Sequence, residues 1–286
     1  MKRLILLGAF LALPAIAQDF SRSAAPENGF SYVLGDVQEH WQGGQISWYY
    51  NPTNQPAGLS TEDVVGLIKI ATAKWEGMCN LQFNYQGLIT SAAPMLDATW
   101  NTIDRINVIG WAVLTGSRAD YDGYTQWWYD ASGNMADADM VLNSARTWTQ
   151  SNKQSLEALI THELGHVLGL QHSKTSESIM YVPYHTYSYQ RTLRGDDAQA
   201  CAALYGASSN AESNRLFNWA EQYPNLFAPA VAASTTYAGY YYRYYPTTNS
   251  YVGTKDGIVW YIGPDGQLQN LGPTGNYLGT AYGAGF

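Results

Sequence analysis

The strongest constraint on this chain is the pattern His162-Glu163-x-x-His166-x-x-Gly169-x-x-His172, which lies within 286 residues. Two histidines four positions apart on a helix project from the same face, one turn apart. Their neutral ring nitrogens can therefore reach one metal ion at ~2.0–2.1 Å. Gly169 supplies the backbone freedom for a sharp turn, which can bring His172 round as a third ligand. Three protein ligands leave a fourth position open, as a catalytic rather than a structural zinc site requires.

The surrounding residues predict a helix with one packing face and one chemical face. Ser155 is the expected N-cap, and Gly169 is the expected stop after Leu168. The apolar positions of this stretch fall opposite the histidines on a helical wheel: Leu156, Ile160, Leu164 and Val167. Glu163 lies beside the metal pair without being an obvious ligand, where a general base for a zinc-bound water would stand. For any single histidine the alternative is a hydrogen-bonded structural side chain, but three of the chain's five histidines fall in this one motif.

Together with Ser173 and the later segment Ser178-Ile179-Met180-Tyr181, the motif resembles the matrixin branch of the metzincin zinc peptidases. The resemblance covers about 31–206. It implies an α+β catalytic domain with a twisted mixed five-stranded sheet, three helices and a substrate cleft. It also implies that Met180 forms the hydrophobic floor beneath the metal, although plain core packing is nearly the same physical statement. By the same likeness, Pro183 and Tyr184 would wall a specificity pocket, and Tyr124–Tyr129 is similar to the edge strand that pairs with extended peptides. An ordinary edge strand is the alternative for that segment.

The metal content expected from the sequence is one catalytic Zn²⁺. Vertebrate matrixins carry a second, structural zinc held by histidines in the sheet region, but no histidine lies here between His40 and His162. A calcium site stays open because five aspartates fall in one stretch: Asp120, Asp122, Asp130, Asp137 and Asp139. We favour the alternative that these aspartates are turn residues and solvated surface residues.

The amino terminus and the two cysteines indicate an exported protein. Residues 1–17 combine a basic start, an apolar run and a small-x-small exit, which is typical of a secretory signal peptide. Residues 18–30 form a short polar segment that could act as a propeptide. Cys79 and Cys201 predict a disulfide in an oxidising compartment, with two buried thiols as the alternative. The net charge of −8, without a basic stripe, argues against nucleic acid as a partner, and no later stretch is apolar enough to span a membrane.

A composition change marks a second region. Residues 207–210 are small and polar and indicate a linker, and 211–286 are rich in aromatic residues. Ala211 to Glu221 predicts an amphipathic helix, and the rest predicts a small, mainly β domain. An aromatic surface could bind a surface or a substrate, but a packing extension is the interpretation that we prefer. The sequence thus predicts a secreted zinc-dependent endopeptidase acting on protein or peptide substrates. The rival hypothesis is a surface-binding protein in which the carboxy-terminal domain is the functional part.

Overall fold

The computed structural model describes residues 31–220 and 234–273, apart from 77, 177, 183–192, 194 and 209. The predicted signal peptide, the segment 18–30 and the predicted pocket residues Pro183 and Tyr184 lie outside the described residues. Two five-stranded sheets organise the rest.

The first sheet is mixed, as predicted. Its strands are β1 (Gln45–Tyr50), β2 (Gln82–Leu88), β3 (Val108–Ala112), β4 (Gly123–Tyr129) and β5 (Met135–Asn143), in the order β2-β1-β3-β5-β4. β1 pairs in parallel with β2 and β3, and β3 pairs in parallel with β5, whereas β4 runs antiparallel to β5. Among the described residues β4 is therefore an edge strand that pairs on one side only, which leaves the position that an added peptide strand could use.

Three helices accompany this sheet: α1 (Thr61–Trp75), α2 (Lys153–Val167) and α3 (Gly195–Tyr205). α1 begins where its sequence signal predicts. The Ser60 hydroxyl accepts from Asp63 N at 3.0 Å, and the Asp63 carboxylate accepts from Ser60 N at 3.1 Å. Each side chain thus accepts from the backbone N–H of the other residue, and two backbone donors at the start of the helix are satisfied.

α2 begins three residues earlier than the predicted cap at Ser155 would allow. Asn152 occupies the N-cap position, and its side chain folds the preceding loop instead of capping the helix. Its amide donates to Thr147 O at 2.8 Å and its side-chain oxygen accepts from Thr149 N at 2.7 Å. The loop therefore sets the start of the helix, and Ser155 lies inside the first turn.

The core lies between the sheet and the first two helices. Trp75 on α1 is fully buried and its indole N–H donates to Thr161 O on α2 at 2.9 Å. A buried ion pair between Lys74 and Glu157 joins the same two helices. The predicted packing face of α2 is confirmed, because its four apolar side chains are at most 4% exposed. The predicted disulfide is present between Cys79 and Cys201, whose Cα atoms lie 5.7 Å apart.

Two aspartates on β5 correct the expectation of solvated surface. Asp137 and Asp139 are both 0% exposed. Side chains alternate along a strand, and the intervening Ala138 and Met140 belong to the main core. The two carboxylates therefore lie on the opposite face of the sheet, beneath the loop 89–107.

Backbone donors from that loop and from the start of β3 explain why these carboxylates can be buried. Asp139 accepts from Met95 N at 2.7 Å and Val108 N at 2.8 Å, and Asp137 accepts from Arg105 N at 3.1 Å. Burial raises the pKa of Asp139 to about 8 and that of Asp137 to about 6. Turn chemistry does hold for Asp130, whose carboxylate accepts from Ser132 N at 2.8 Å and Asn134 N at 3.0 Å.

The second sheet is an antiparallel meander of β6 (Ser234–Tyr237), β7 (Tyr240–Tyr245), β8 (Ser250–Lys255), β9 (Ile258–Ile262) and β10 (Leu268–Pro273). Helix α4 (Ala211–Ala220) packs on one face, where Leu216 and Phe217 meet Tyr245, Val252 and Val259. The tyrosines of β7 that alternate to the other face are half-buried: Tyr240, Tyr242 and Tyr244. The mainly β prediction for this region is confirmed. None of the helices in the described ranges is long and apolar enough to cross a bilayer.

Candidate metal centre and active site

Helix α2 and the turn after it bring the three predicted histidines together. His162 and His166 lie one turn apart on α2 and are 0% and 7% exposed. The Nε2 atom of His172 lies 3.3 Å from Nε2 of His162 and 3.1 Å from Nε2 of His166. Nitrogens that bind one tetrahedral zinc at 2.0–2.1 Å are about 3.3–3.4 Å apart. The three side chains therefore fit a single Zn²⁺, and they form the one group of three or more such ligands found across the described part of the chain.

Gly169 makes the turn that returns His172 to the helix. Its φ of 95° lies in the left-handed region, which glycine adopts without strain. A Cβ atom at this position would lie 2.0 Å from Glu39 O, so a side chain is also excluded by the close approach of another segment. The predicted helix stop is confirmed, and the structure adds this second reason for glycine.

Backbone carbonyls orient the two helical imidazoles. Nδ1–H of His162 donates to Ile179 O at 2.6 Å, and Nδ1–H of His166 donates to Leu170 O at 2.8 Å. A ring that donates through Nδ1 presents the lone pair of Nε2, which is the form that binds metal. Burial lowers the pKa of His162 to about 3 and that of His166 to about 4, and burial also lowers the pKa of His172. All three rings are thus favoured in the neutral state that a ligand needs.

Met180 lies directly beneath α2. Its side chain is 2% exposed, and a Cβ atom added to Gly165 would lie 2.2 Å from Met180 Sδ. Both backbone polar groups of Met180 are hydrogen-bonded: its N–H donates to the Ser178 hydroxyl at 3.0 Å, and its carbonyl oxygen accepts from Ser173 N at 2.9 Å. This position supports the interpretation of Met180 as the floor of the site.

Two adjacent aspartates of α3 hold the segments around the histidines. Asp197 accepts from the Ser178 hydroxyl and, at 3.1 Å, from Ile179 N. Asp196 accepts from the Ser173 hydroxyl at 2.7 Å and from Ser31 N at 2.6 Å. Neither residue was predicted as part of the site from the sequence, because each contacts chain segments at least 18 positions away.

Glu163 is 1% exposed and lies on α2 directly after the first ligand. Its Oε2 atom accepts from the Thr125 hydroxyl at 2.7 Å. Its Oε1 atom has no hydrogen-bond partner among the residues that the structure describes. Burial raises the pKa of Glu163 to about 7, against the lowering effect of the Thr125 hydroxyl. A carboxylate with one free oxygen and a pKa near neutrality can both accept and release a proton.

The predicted edge strand β4 packs along α2. Trp127 stacks on the ring of His166, with ring centroids 5.8 Å apart and an interplanar angle of 11°. Thr125 lies on the same face of the strand. Sequence reasoning named the segment but missed both contacts; the signal that could have found them is the alternation that places every second residue of β4 toward α2.

Comparison with known proteins agrees with this geometry. Residues 40–206, more than half of the chain, match the sequence model of the matrixin peptidases. This chain belongs to the matrixin family. It is 38% identical over 99 residues to a macrophage metalloelastase of Rattus norvegicus, a match that covers 32% of this chain and 21% of that protein. It is 30% identical over 148 residues to stromelysin-3 of Xenopus laevis, covering 47% of this chain and 28% of that protein. A third relative, metalloendoproteinase 2-MMP of Arabidopsis thaliana, is 46% identical over 55 residues, covering 19% of this chain and 15% of that protein.

Proposed function

We propose that this matrixin is an exported zinc-dependent endopeptidase in which His162, His166 and His172 hold the metal and Glu163 is the general base. The observation that carries the proposal is that the Nε2 atoms of His162 and His166 lie within 3.3 Å of His172 Nε2, beside a buried carboxylate with one oxygen that has no hydrogen-bond partner among the described residues. The relatives named as a metalloelastase and a metalloendoproteinase support the same class of reaction.

Each residue of the site would have a separate role in peptide hydrolysis. When bound, zinc would lower the pKa of a water molecule and polarise the carbonyl of the scissile bond. Glu163 Oε1 would take a proton from the attacking water, and would then deliver it to the nitrogen of the leaving amine. The unpaired edge of β4 would align an extended peptide by adding it as a strand. We propose that Pro183 and Tyr184 wall the pocket for one substrate side chain.

The organisation of the whole chain follows the same proposal. Residues 1–17 would direct export, 18–30 would precede the catalytic domain at 31–206, and 207–210 would link it to a separate domain at 211–286. The disulfide between Cys79 and Cys201 supports export, because disulfides persist in oxidising compartments. The half-buried tyrosine row of β7 is where we propose that 211–286 would contact a surface or a substrate.

The test is to express residues 18–286 in an oxidising compartment and to measure bound zinc together with cleavage of a denatured protein. We expect one zinc per chain and cleavage that is lost in Glu163→Ala, a variant that keeps its zinc. His166→Ala should lose the zinc as well, since it removes a ligand. Cleavage that survives in Glu163→Ala would refute the assignment of the base, and a chain without zinc would refute the metal site.

A further inference from the structure

The side chain of Thr125 contacts the proposed base more closely than any other described hydrogen-bonding group. Its hydroxyl oxygen lies 2.7 Å from Glu163 Oε2 and 3.2 Å from the main-chain carbonyl oxygen of Glu163. Thr125 is 3% exposed and Glu163 is 1% exposed, so neither group exchanges this partner freely with bulk water. A hydrogen bond to an ionised carboxylate in such a site is about twice as strong as one between neutral groups.

The local shape of β4 supports this contact. Gly123 precedes Thr125 by two positions and therefore lies on the same face of the strand. A Cβ atom on Gly123 would lie 3.4 Å from Glu163 Cγ and 3.2 Å from Leu159 Cδ1, so α2 packs closely against bare backbone there. The methylene groups of Glu163 thus pass over Gly123, and its carboxylate reaches the next residue on that face, Thr125.

We propose that Thr125 is a positioning residue for Glu163, an inference that rests on the proposed function. Its hydroxyl fixes Oε2 and thereby leaves Oε1, which has no hydrogen-bond partner among the described groups, as the oxygen that exchanges protons with the reactants. In the first step a water O–H bond breaks, an Oε1–H bond forms, and the water oxygen bonds to the carbonyl carbon of the peptide, whose C=O π pair moves to the carbonyl oxygen. In the second step the Oε1–H bond breaks, an N–H bond forms on the leaving amine, and the peptide C–N bond breaks as the C=O double bond forms again, so that Glu163 returns to its ionised state.

The main-chain carbonyl oxygen of Glu163 is a second acceptor to which the Thr125 hydroxyl can donate when the protonation state of Glu163 changes. A hydroxyl has one proton to donate. While Glu163 is ionised, the shorter contact and the negative charge favour donation to Oε2. While Glu163 carries the proton, the main-chain carbonyl oxygen at 3.2 Å is an alternative acceptor that needs only rotation about the C–O bond of Thr125. The carboxyl group therefore keeps a neighbour of fixed position in both states.

Two matched pairs of variants isolate the hydroxyl. Thr125 and Thr125→Val differ in the hydroxyl at almost constant volume, and Thr125→Ser and Thr125→Ala differ in it with one methyl group fewer. We expect kcat to be about tenfold lower in the Val and Ala members than in their hydroxyl partners, with KM changed less than twofold, because losing a hydrogen bond to a charged group typically has at least this effect. If Thr125→Val does not fold, the Ser and Ala pair still decides.

Two further measurements separate positioning from a structural role. The zinc dissociation constant from chelator competition should change less than twofold in all four proteins. In the metal-free protein labelled with ¹³C-glutamate, the Glu163 Cδ resonance should shift in Thr125→Val and stay near the wild-type position in Thr125→Ser. In a Glu163→Ala background, Thr125→Val should have no further effect on the residual rate.

The outcomes distinguish this inference from the function on which it rests. If the wild type cleaves protein and Thr125→Val and Thr125→Ala cleave with unchanged kcat, the inference is wrong and the proposed function stands. A change confined to KM would also overturn it, because it would place Thr125 in substrate binding. A wild-type chain that binds zinc but cleaves no protein would overturn both.

Discussion

Replacing Gly165 with alanine tests whether the contact between α2 and Met180 governs the site. The two effects of this change oppose each other. Alanine is favoured over glycine in a helix interior by ~1 kcal/mol, whereas an extra methyl group in a packed core costs about 1–3 kcal/mol. The new Cβ atom would lie 2.2 Å from Met180 Sδ and 3.1 Å from Trp75 Cζ2. Both neighbours are at most 2% exposed, and Met180 is tied at both ends, so overpacking should outweigh the helix propensity.

Because Met180 is held on both sides, we place the overpacking cost in the upper part of its range, at about 2–3 kcal/mol. After the helix-propensity gain of ~1 kcal/mol, we expect Gly165→Ala to lower the free energy of unfolding by about 1–2 kcal/mol. For a chain of this size that corresponds to a fall in Tm of roughly 2–6 °C. Zinc binding should weaken as well, because Ile179 O orients His162 and adjoins Met180. Loss of such an outer contact typically lowers metal affinity by about 10–100-fold, and tenfold is our expectation here.

The assay is thermal unfolding of the metal-free chain together with chelator competition for zinc. Gly66→Ala is the matched control, since Gly66 is a half-buried glycine within α1, and it should be neutral or stabilising. The double variant Gly165→Ala/Met180→Ala should lose less stability than the sum of the two single changes, because removing the side chain relieves the clash. A Gly165→Ala protein that is more stable than wild type, with unchanged zinc affinity, would refute this reasoning.

Three other predictions concern stability. The free energy of unfolding of Cys79→Ala/Cys201→Ala should be about 5 kcal/mol lower than that of the wild type on the chain-entropy model, because the disulfide closes a loop with a sequence separation of 122. Equal denaturant midpoints for the variant and the oxidised wild type would contradict this. Asp197→Asn should lower unfolding free energy by about 1.5–3 kcal/mol, since its carboxylate accepts from Ile179 N and a hydroxyl group, and a Tm within 1 °C of wild type, roughly 0.5 kcal/mol or less, would argue against that role. The folded-state pKa values of His162 and His166, about 3 and about 4, lie below the unfolded value of 6.5. Between pH 6.5 and 4 the unfolded chain therefore binds more protons than the folded chain. As the pH falls through this range, the free energy of unfolding of the metal-free protein should decrease by up to about 1.4 kcal/mol per pH unit for each histidine. Urea unfolding at a series of pH values measures that slope, and a flat profile from pH 7 to 5 would exclude it.

Much of the metal site could be predicted from the sequence because its information is local. The spacing of His162 and His166 alone places them on one helix face, and Gly169 indicates both the end of the helix and the turn that follows it. The capping box at Ser60 is equally local, since both of its partners lie within four residues. These features depend on backbone geometry that any helix would reproduce.

The contacts that the sequence did not reveal all depend on register between distant segments. Thr125 and Glu163 are 38 positions apart, and their contact requires that β4 present its odd-numbered face to α2. The burial of Asp139 has the same kind of origin, because the backbone donors that make a buried carboxylate tolerable come from the folded loop 89–107, at Met95 N, and from the first residue of β3, at Val108 N. A cluster of aspartates in the sequence cannot show which members face such a loop.

The same reasoning explains why the motif identifies the ligands without determining their orientation. The Nδ1–H group of His162 is fixed by Ile179 O, and the backbone N–H of that same residue is held by Asp197 on α3. α3 is in turn joined through Cys201 to the segment that follows α1. The crosslink therefore bears on the metal centre through a chain of described contacts: disulfide, α3, Asp197, Ile179 and His162. Because the ligand's orientation depends on that chain, a loosened α3 would disturb zinc binding while α2 itself remained helical.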